Sequence, residues 1–340
     1  MKSVKNWISL TIVILLIVFM YNVDLSTTAV NTINTSTVAI SGESFGVKLY
    51  TKGVLVISLA PVETETGEKN PAEEAGIMAG DILITINNKN VSTCKEVADI
   101  FESSAGKEIK ITYERNEKDF TTVLKPEYSV SSKAYKAGLW IRDSTAGIGT
   151  ITYYDPKGNF GALGHGIADV DTGTLMPLGD GEALKSTVIG LSMAEKSKPG
   201  EIYGVLEQLS IGSIKKNCDE GVYGTAPVVQ SNAEYIEVAQ PSEVEKGAAK
   251  IATTIDSTGV QYFDIEIKKI NRNSKDNKDM VIKVTDEKLL EKTGGILQGM
   301  SGSPIIQNGK FIGAVTHVFL NKPDQGYAIF GTKMIKNSSF

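Results

Sequence analysis

Between Gly147 and Val318 the chain is cut into short apolar runs by glycine-containing and polar turns, and no other feature constrains its fold as tightly. The runs fall at 147–154, 160–163, 222–228, 235–238, 249–254, 262–267, 280–284 and 310–318. Segments this short, with turn residues between them, predict an all-β barrel or sandwich over 133–340. The polar, charged stretch 271–279 reads as an exposed hairpin loop, and 242–246 as a short helical turn.

The N-terminus follows a different rule. Lys2 and Lys5 precede an uncharged stretch of 18 residues, 6–23, closed by Asp24. At 1.5 Å per residue it barely spans a hydrocarbon core of roughly 30 Å. The lysines in front predict a cytoplasmic N-terminus with the remainder across the membrane. A cleaved signal peptide fits the same pattern. Trp7 and Tyr21 sit where interfacial aromatics belong, and no pair of small residues at cleavage spacing follows at once, so a transmembrane signal anchor over 1–24 is the favoured expectation. Residues 25–42 carry Asp- and Lys-free Ser, Thr and Asn among small apolar residues and read as a linker.

Composition narrows the chemistry. With 35 basic and 40 acidic residues the formal charge is −5, and no long basic run exists, which argues against nucleic acid as the main partner. Two cysteines, Cys94 and Cys218, exclude a disulfide-stapled fold and a cysteine zinc site. Two histidines, His165 and His317, exclude a multi-histidine metal centre, and no cofactor is expected.

Over 43–128 short strands alternate with two helical stretches. Asn70-Pro71 marks a helix start, with Asn70 as cap, and Gly76 its end; 93–103 reads as an amphipathic helix, and 109–115 with 120–124 as a hairpin. The string Pro71-Ala72, Ala75-Gly76, Gly80-Asp81-Ile82-Leu83 resembles a PDZ domain, an α+β fold. That resemblance implies that an apolar-Gly-apolar loop, here Phe45, Gly46 and Val47, presents backbone N–H groups to a peptide carboxylate.

Further on, Gly299-Met300-Ser301-Gly302-Ser303-Pro304 leads into an apolar strand and Gly309. Glycines on both sides of a serine permit a tight loop with positive φ. Such a loop aims two backbone N–H groups, those of Gly299 and Ser301, at one oxygen, forming an oxyanion hole. The pattern resembles the nucleophile loop of chymotrypsin-like serine peptidases, and in that register Thr316, His317 and Val318 form the strand that pairs with substrate. His165, between Gly164 and Gly166, precedes Ser301 as a general base does in the chymotrypsin order. For the acid, Asp286, Asp169, Asp171 and Asp264 all satisfy the spacing.

In order along the chain stand a hydrophobic N-terminal segment, the PDZ-like module, Gly147-Ile148-Gly149-Thr150 with Tyr154-Asp155-Pro156, Gly164-His165-Gly166 with Asp171-Thr172-Gly173, and the loop 298–304. This combination resembles the SpoIVB peptidase family of spore-forming bacteria. The resemblance implies a mainly β chain with an N-terminal transmembrane helix, a PDZ-like domain and a chymotrypsin-like double β-barrel. It implies a His165, Asp286, Ser301 triad and self-cleavage in the space between forespore and mother cell. It also implies cutting of a regulatory membrane protein of an intramembrane metalloprotease that matures a late sigma factor. The contrasting expectation is a non-catalytic PDZ adaptor with a degenerate peptidase domain.

Overall fold

The computed structural model describes residues 36–227 and 234–338. The expected transmembrane segment and most of the linker lie outside these residues. Among the described residues no helix is long and apolar enough to cross a membrane.

Twelve strands build two barrels. The first ring comprises β1 (Ser44–Leu59), β2 (Leu139–Tyr154), β3 (Asn159–Ala162), β4 (Leu178–Ser192), β5 (Glu201–Cys218) and β6 (Gly221–Thr225). Its order is β2-β3-β6-β5-β4-β1, and a further β1–β2 pairing closes it. The second ring comprises β7 (Gly247–Thr254), β8 (Val260–Ile270), β9 (Met280–Val284), β10 (Pro304–Gln307), β11 (Lys310–Phe319) and β12 (Lys322–Phe330). It closes in the order β7-β8-β9-β12-β11-β10. Most of the short runs lie in this double barrel. Three of its strands, Leu178–Ser192, Glu201–Cys218 and Lys322–Phe330, are not among the expected runs, and Tyr235–Glu237 pairs outside it with Thr37–Ile40. Closure removes the open edges that isolated sheets leave unpaired.

Each barrel has its own core. Phe45, Val47, Leu49, Ile151, Phe160 and Ala183 fill the first, and Ile251, Ile265, Ile282, Ile305 and Val315 are among those filling the second. Tyr153 and Tyr223 from the first pack with Phe311, Ala314 and Ile329 from the second, so the seam between the rings is itself apolar.

The PDZ-like module is an insertion. β1 runs as one strand from the first barrel, where its inward residues alternate, into the module, where Val54, Leu55 and Val56 are all buried. The chain returns on β2, paired antiparallel with β1 along most of its length. Between them lie Ile82–Ile86, Ile109–Arg115, Lys118–Leu124 and α1 (Cys94–Ser103) around a separate core. The module boundary at 43 is thus corrected: Ser44 to Tyr50 pair with β2 and β4 in the barrel wall. The expected linker is corrected over its described part, because Thr37–Ile40 is a strand paired with β2 and with Tyr235–Glu237.

Local choices follow the sequence. α1 opens on a capping box in which the Thr93 hydroxyl accepts from Glu96 N–H and the Glu96 carboxylate accepts from Thr93 N–H. Pro71 starts the short helix Pro71–Glu74 as expected, although the Asn70 side chain makes no cap bond. The Gly80-Asp81 motif acquires a reason: fully buried Asp81 accepts two bonds from Arg115, 2.6 and 2.7 Å, and one from Met78 N–H at 2.8 Å.

Candidate functional site

The loop between α2 (Glu287–Thr293) and β10 carries Ser301 to the seam between the barrels. Gly299 has φ +100° and Gly302 φ +95°, so both need glycine, and a Cβ on Gly302 would come within 2.2 Å of the Thr150 carbonyl oxygen. The carbonyls before and around the serine are all engaged. Ile202 N–H donates to Gln298 O at 2.9 Å, Thr150 Oγ1 to Gly299 O at 2.8 Å and Ser303 N–H to Met300 O at 3.0 Å. In a trans peptide the N–H points opposite to the C=O. The N–H groups of Gly299 and Ser301 are accordingly turned away from those partners, and among the described residues neither donates to any acceptor. Two free donors at a serine are what an oxyanion hole at Gly299 and Ser301 requires.

His165 arrives on the turn after β3. It lines, with Gly299, Ser301, Gln298 and Ile148, a cavity of about 290 Å³. Its Nδ1 lies 2.9 Å from Gly166 O; a carbonyl only accepts, so Nδ1 carries the proton and Nε2 is left as the basic nitrogen. Burial pushes the His165 imidazole below its ordinary value, and the Gly166 bond opposes that only in part. Ser301 Oγ donates to Thr316 O at 2.7 Å, so in this arrangement the hydroxyl proton is held by β11.

Thr316, His317 and Val318, the residues expected to pair with substrate, lie on β11, whose Thr316 carbonyl accepts from Ser301 Oγ. The His317 ring stacks at a tilt on that of His165, with centroids 4.9 Å apart. Burial, then the neighbouring charges of His165 and Lys278, lower His317 to about 4, so it is neutral at physiological pH.

Among the described residues no hydrogen bond joins Asp286, the acid that the resemblance implies, to His165. Asp286 stands at the start of α2, where its carboxylate accepts from Leu289 N–H at 3.1 Å and from Asp264 N–H at 3.3 Å. It caps a helix beside β8, and the structure does not bring it to His165. The other candidates are also engaged elsewhere. Asp264 pairs with Lys250 at 2.6 Å, and Asp171 pairs with Arg142 at 2.8 Å. Asp169, fully buried, bonds Arg142 and accepts from Asp171 N–H, Thr172 N–H and Thr172 Oγ1. Burial alone would raise the Asp169 carboxyl, and the Thr172 donors, Asp171 N–H and Arg142 outweigh it and hold it low. Among the described residues no carboxylate bonds His165; the Gly166 carbonyl orients the ring instead.

The peptide loop of the PDZ-like module is also relocated. Phe45 is fully buried in the first barrel, and Gly46 pairs with Ile148 on one side and Leu184 on the other. With both strand edges used, these residues have no N–H groups to offer a peptide. A cavity lies between α1 and the start of β2. Cys94, Val97, Ala98 and Phe101 face Ala137, Gly138, Leu139, Trp140 and Ile141 across this cavity of about 590 Å³. Over Leu139, Trp140 and Ile141 one edge pairs with β1, and among the described residues the other pairs with no strand. Gly138 has φ +74°, and a Cβ there would meet Ala60 O at 2.3 Å. The sequence signal was available: Ala137-Gly138-Leu139 has the same apolar-Gly-apolar pattern as Phe45-Gly46-Val47. Burial first and Asp143 second push the Cys94 thiol up to about 11, which disfavours its thiolate.

Parts of the chain are similar to known proteins. A PDZ domain model matches residues 66–115. A probable periplasmic serine protease do/HhoA-like of Haemophilus influenzae is 36% identical over 97 residues, 28% of this chain and 20% of that protein. Zinc metalloprotease RasP of Shouchella clausii is 37% identical over 71 residues, 21% of this chain and 16% of that protein. The chain thus spans about a fifth of these curated relatives' length. Among solved structures, the HtrA-type protease AlgW with decapeptide aligns with TM-score 0.35 and 11% identity over 58% of this chain and 53% of that one. The PDZ domain of the SdrC-like protein of Listeria monocytogenes aligns with TM-score 0.22 and 23% identity over 26% of this chain and 87% of that one. The family model described as SpoIVB peptidase S55 matches residues 133–335, from just before β2 to the last helix, and the chain belongs to that family.

Proposed function

We propose that the chain is a serine endopeptidase in which Ser301 attacks a peptide carbonyl, His165 Nε2 takes the hydroxyl proton, and the Gly299 and Ser301 N–H groups hold the resulting oxyanion. The observation that carries this reading is the pair of unengaged N–H donors lining one cavity with Ser301 and His165. A degenerate peptidase has no reason to keep every neighbouring carbonyl bonded while leaving those two donors free. For Ser301 to act, its hydroxyl must turn from Thr316 O toward His165, which lines the same cavity.

Family membership supports the biological setting: a membrane-tethered enzyme acting between forespore and mother cell, cleaving itself and cutting a regulator of an intramembrane metalloprotease. In the PDZ-like module a peptide end, from the chain's own N-terminal segment or from a substrate tail, adds to the free edge at Leu139, Trp140 and Ile141. Lys136, which lines the groove beside Ala137 and Gly138, matches a terminal carboxylate in charge.

The test uses the full chain with a protein substrate such as casein and a fluorophosphonate probe. Wild type is expected to process its own N-terminal segment and to be labelled at Ser301, and Ser301→Ala to do neither. Equal processing by the two proteins would leave the adaptor reading standing.

A further inference from the structure

The motif Gly147-Ile148-Gly149-Thr150 has no role in the chemistry above, yet β2 carries it directly under the nucleophile loop. Thr150 and Thr152 are two apart, so their side chains share one face of the strand. Both are buried, and both hydroxyls point into the loop: Thr150 Oγ1 to Gly299 O at 2.8 Å and Thr152 Oγ1 to Gly302 O at 2.7 Å. Thr150 N–H adds a bond to Ser301 O at 3.1 Å.

The planes of the peptides around the serine fix the oxyanion hole. Gly299 N–H belongs to the plane of Gln298 O, and Ser301 N–H to the plane of Met300 O; both planes are pinned by backbone donors. The plane between them carries Gly299 O and Met300 N–H. Its nitrogen end reaches Leu297 O within the same turn, and its oxygen end is held by a side chain, Thr150. Gly299, with no Cβ and φ +100°, offers little resistance to rotation of that plane. We infer that Thr150 is a positioning residue for the oxyanion hole: its hydroxyl locks the 299–300 peptide so that the Gly299 and Ser301 N–H groups converge on one point. Thr152 supports the same loop one peptide beyond the serine and bears on the hole only through Ser303 N–H.

This inference rests on Ser301 being the nucleophile, and the experiment separates the two. The full chain is reacted with a fluorophosphonate probe. The Ser301 oxygen forms a bond to phosphorus, fluoride leaves, the proton passes to His165, and the phosphoryl oxygen occupies the oxyanion hole. The labelling rate is measured beside the thermal midpoint for wild type, Ser301→Ala, Thr150→Val, Thr150→Ser and Thr152→Val. Removing a true oxyanion donor costs about a hundredfold or more in rate. Loosening both donors through Thr150→Val is expected to slow labelling at least about tenfold, while Thr150→Ser, which keeps the hydroxyl, stays within about threefold of wild type. Thr152→Val should lower the midpoint as Thr150→Val does but slow labelling much less. Thr150→Ala removes the same bond and carries the same expectation should the valine variant not fold. Labelling of Thr150→Val at the wild-type rate, or equal slowing in Thr152→Val, would overturn the role of Thr150 while leaving Ser301 as nucleophile. Wild type labelled no faster than Ser301→Ala would overturn both.

Discussion

Arg142 sits on β2 two residues beyond the peptide groove's Trp140, and it holds the loop that follows His165. Its guanidinium bonds Asp169, whose side chain is completely buried, and Asp171 at 2.8 Å. Replacing it with Met keeps the aliphatic stem and removes both bonds. Deleting one partner of a buried pair usually costs about 3–5 kcal/mol, because the other charge is left without compensation. Asp169 retains three donors, Asp171 N–H, Thr172 N–H and Thr172 Oγ1, so about 2–3 kcal/mol is the expected loss here. At about 2–4 °C per kcal/mol for a unit of this size, the melting midpoint falls by about 5–10 °C. A double-mutant cycle with Asp169→Asn isolates the pair, and a coupling of about 1–2 kcal/mol is expected. The pH dependence has a defined sign. Asp169 is held below its ordinary 3.8, so its contribution is present above that value and is lost as pH falls through the lower folded-state value. The difference between wild type and Arg142→Met is therefore full at neutral pH and shrinks in acid. An unchanged midpoint, a cycle additive to within about 0.5 kcal/mol, or a difference that grows in acid would refute the clamp.

Four further outcomes follow from the geometry. Asp286→Ser keeps a good N-cap and should leave turnover near wild type, whereas Asp286→Ala costs about 1 kcal/mol of stability; turnover lost in the serine variant at unchanged midpoint would return Asp286 to the chemistry. Because burial depresses His165, the acid limb of kcat/KM should lie below the ordinary imidazole value of 6.5, activity falling as pH drops through it; a limb above 7 contradicts the assignment of His165 as base. Phe45→Ala should cost about 3–5 kcal/mol as a core truncation, and a variant of wild-type stability that merely loses peptide binding would restore the original loop assignment. Ala98→Glu, exposed on the groove face of α1, should block binding of a peptide terminus, read by fluorescence anisotropy, with no change in midpoint.

The parts of this molecule written in local pattern were legible in sequence. Short apolar runs pointed to an all-β domain, and the glycines around Ser301 to a loop with positive φ at Gly299 and Gly302, because φ and alternation are properties of adjacent residues. That the strands close into two barrels, and the strands Leu178–Ser192, Glu201–Cys218 and Lys322–Phe330, were not read from the runs. The helix at 93–103 was legible through its amphipathic pattern, and the capping box at its start adds the physical reason it begins there. What failed was anything set by which strand pairs with which. Ser44–Leu59 satisfies barrel alternation in its first half and module burial in its second, so no local signal marks the crossing. Asp286 follows a strand and precedes a helix, where a carboxylate fits a cap and a catalytic acid equally well, and the bond it makes is the cap to Leu289 N–H.

The insertion also gives β2 a consequence that neither module has alone. Leu139, Trp140 and Ile141 form one wall of the peptide groove; Arg142 clamps the loop after His165; Thr150 and Thr152 hold the carbonyls around Ser301. All lie on one hydrogen-bonded strand in contact with β1, so a displacement at the groove has a covalent and paired path to both halves of the catalytic site. The register is irregular between Trp140 and Ile141 and again between Arg142 and Ser144, and such bulges are where a strand bends without breaking its ladder elsewhere. A peptide added at Leu139, Trp140 and Ile141 would act on Arg142 first, so its effect on rate should vanish in Arg142→Met while its binding persists. Rate enhancement or inhibition by peptide that survives in Arg142→Met would show that coupling, where it exists, runs by another route.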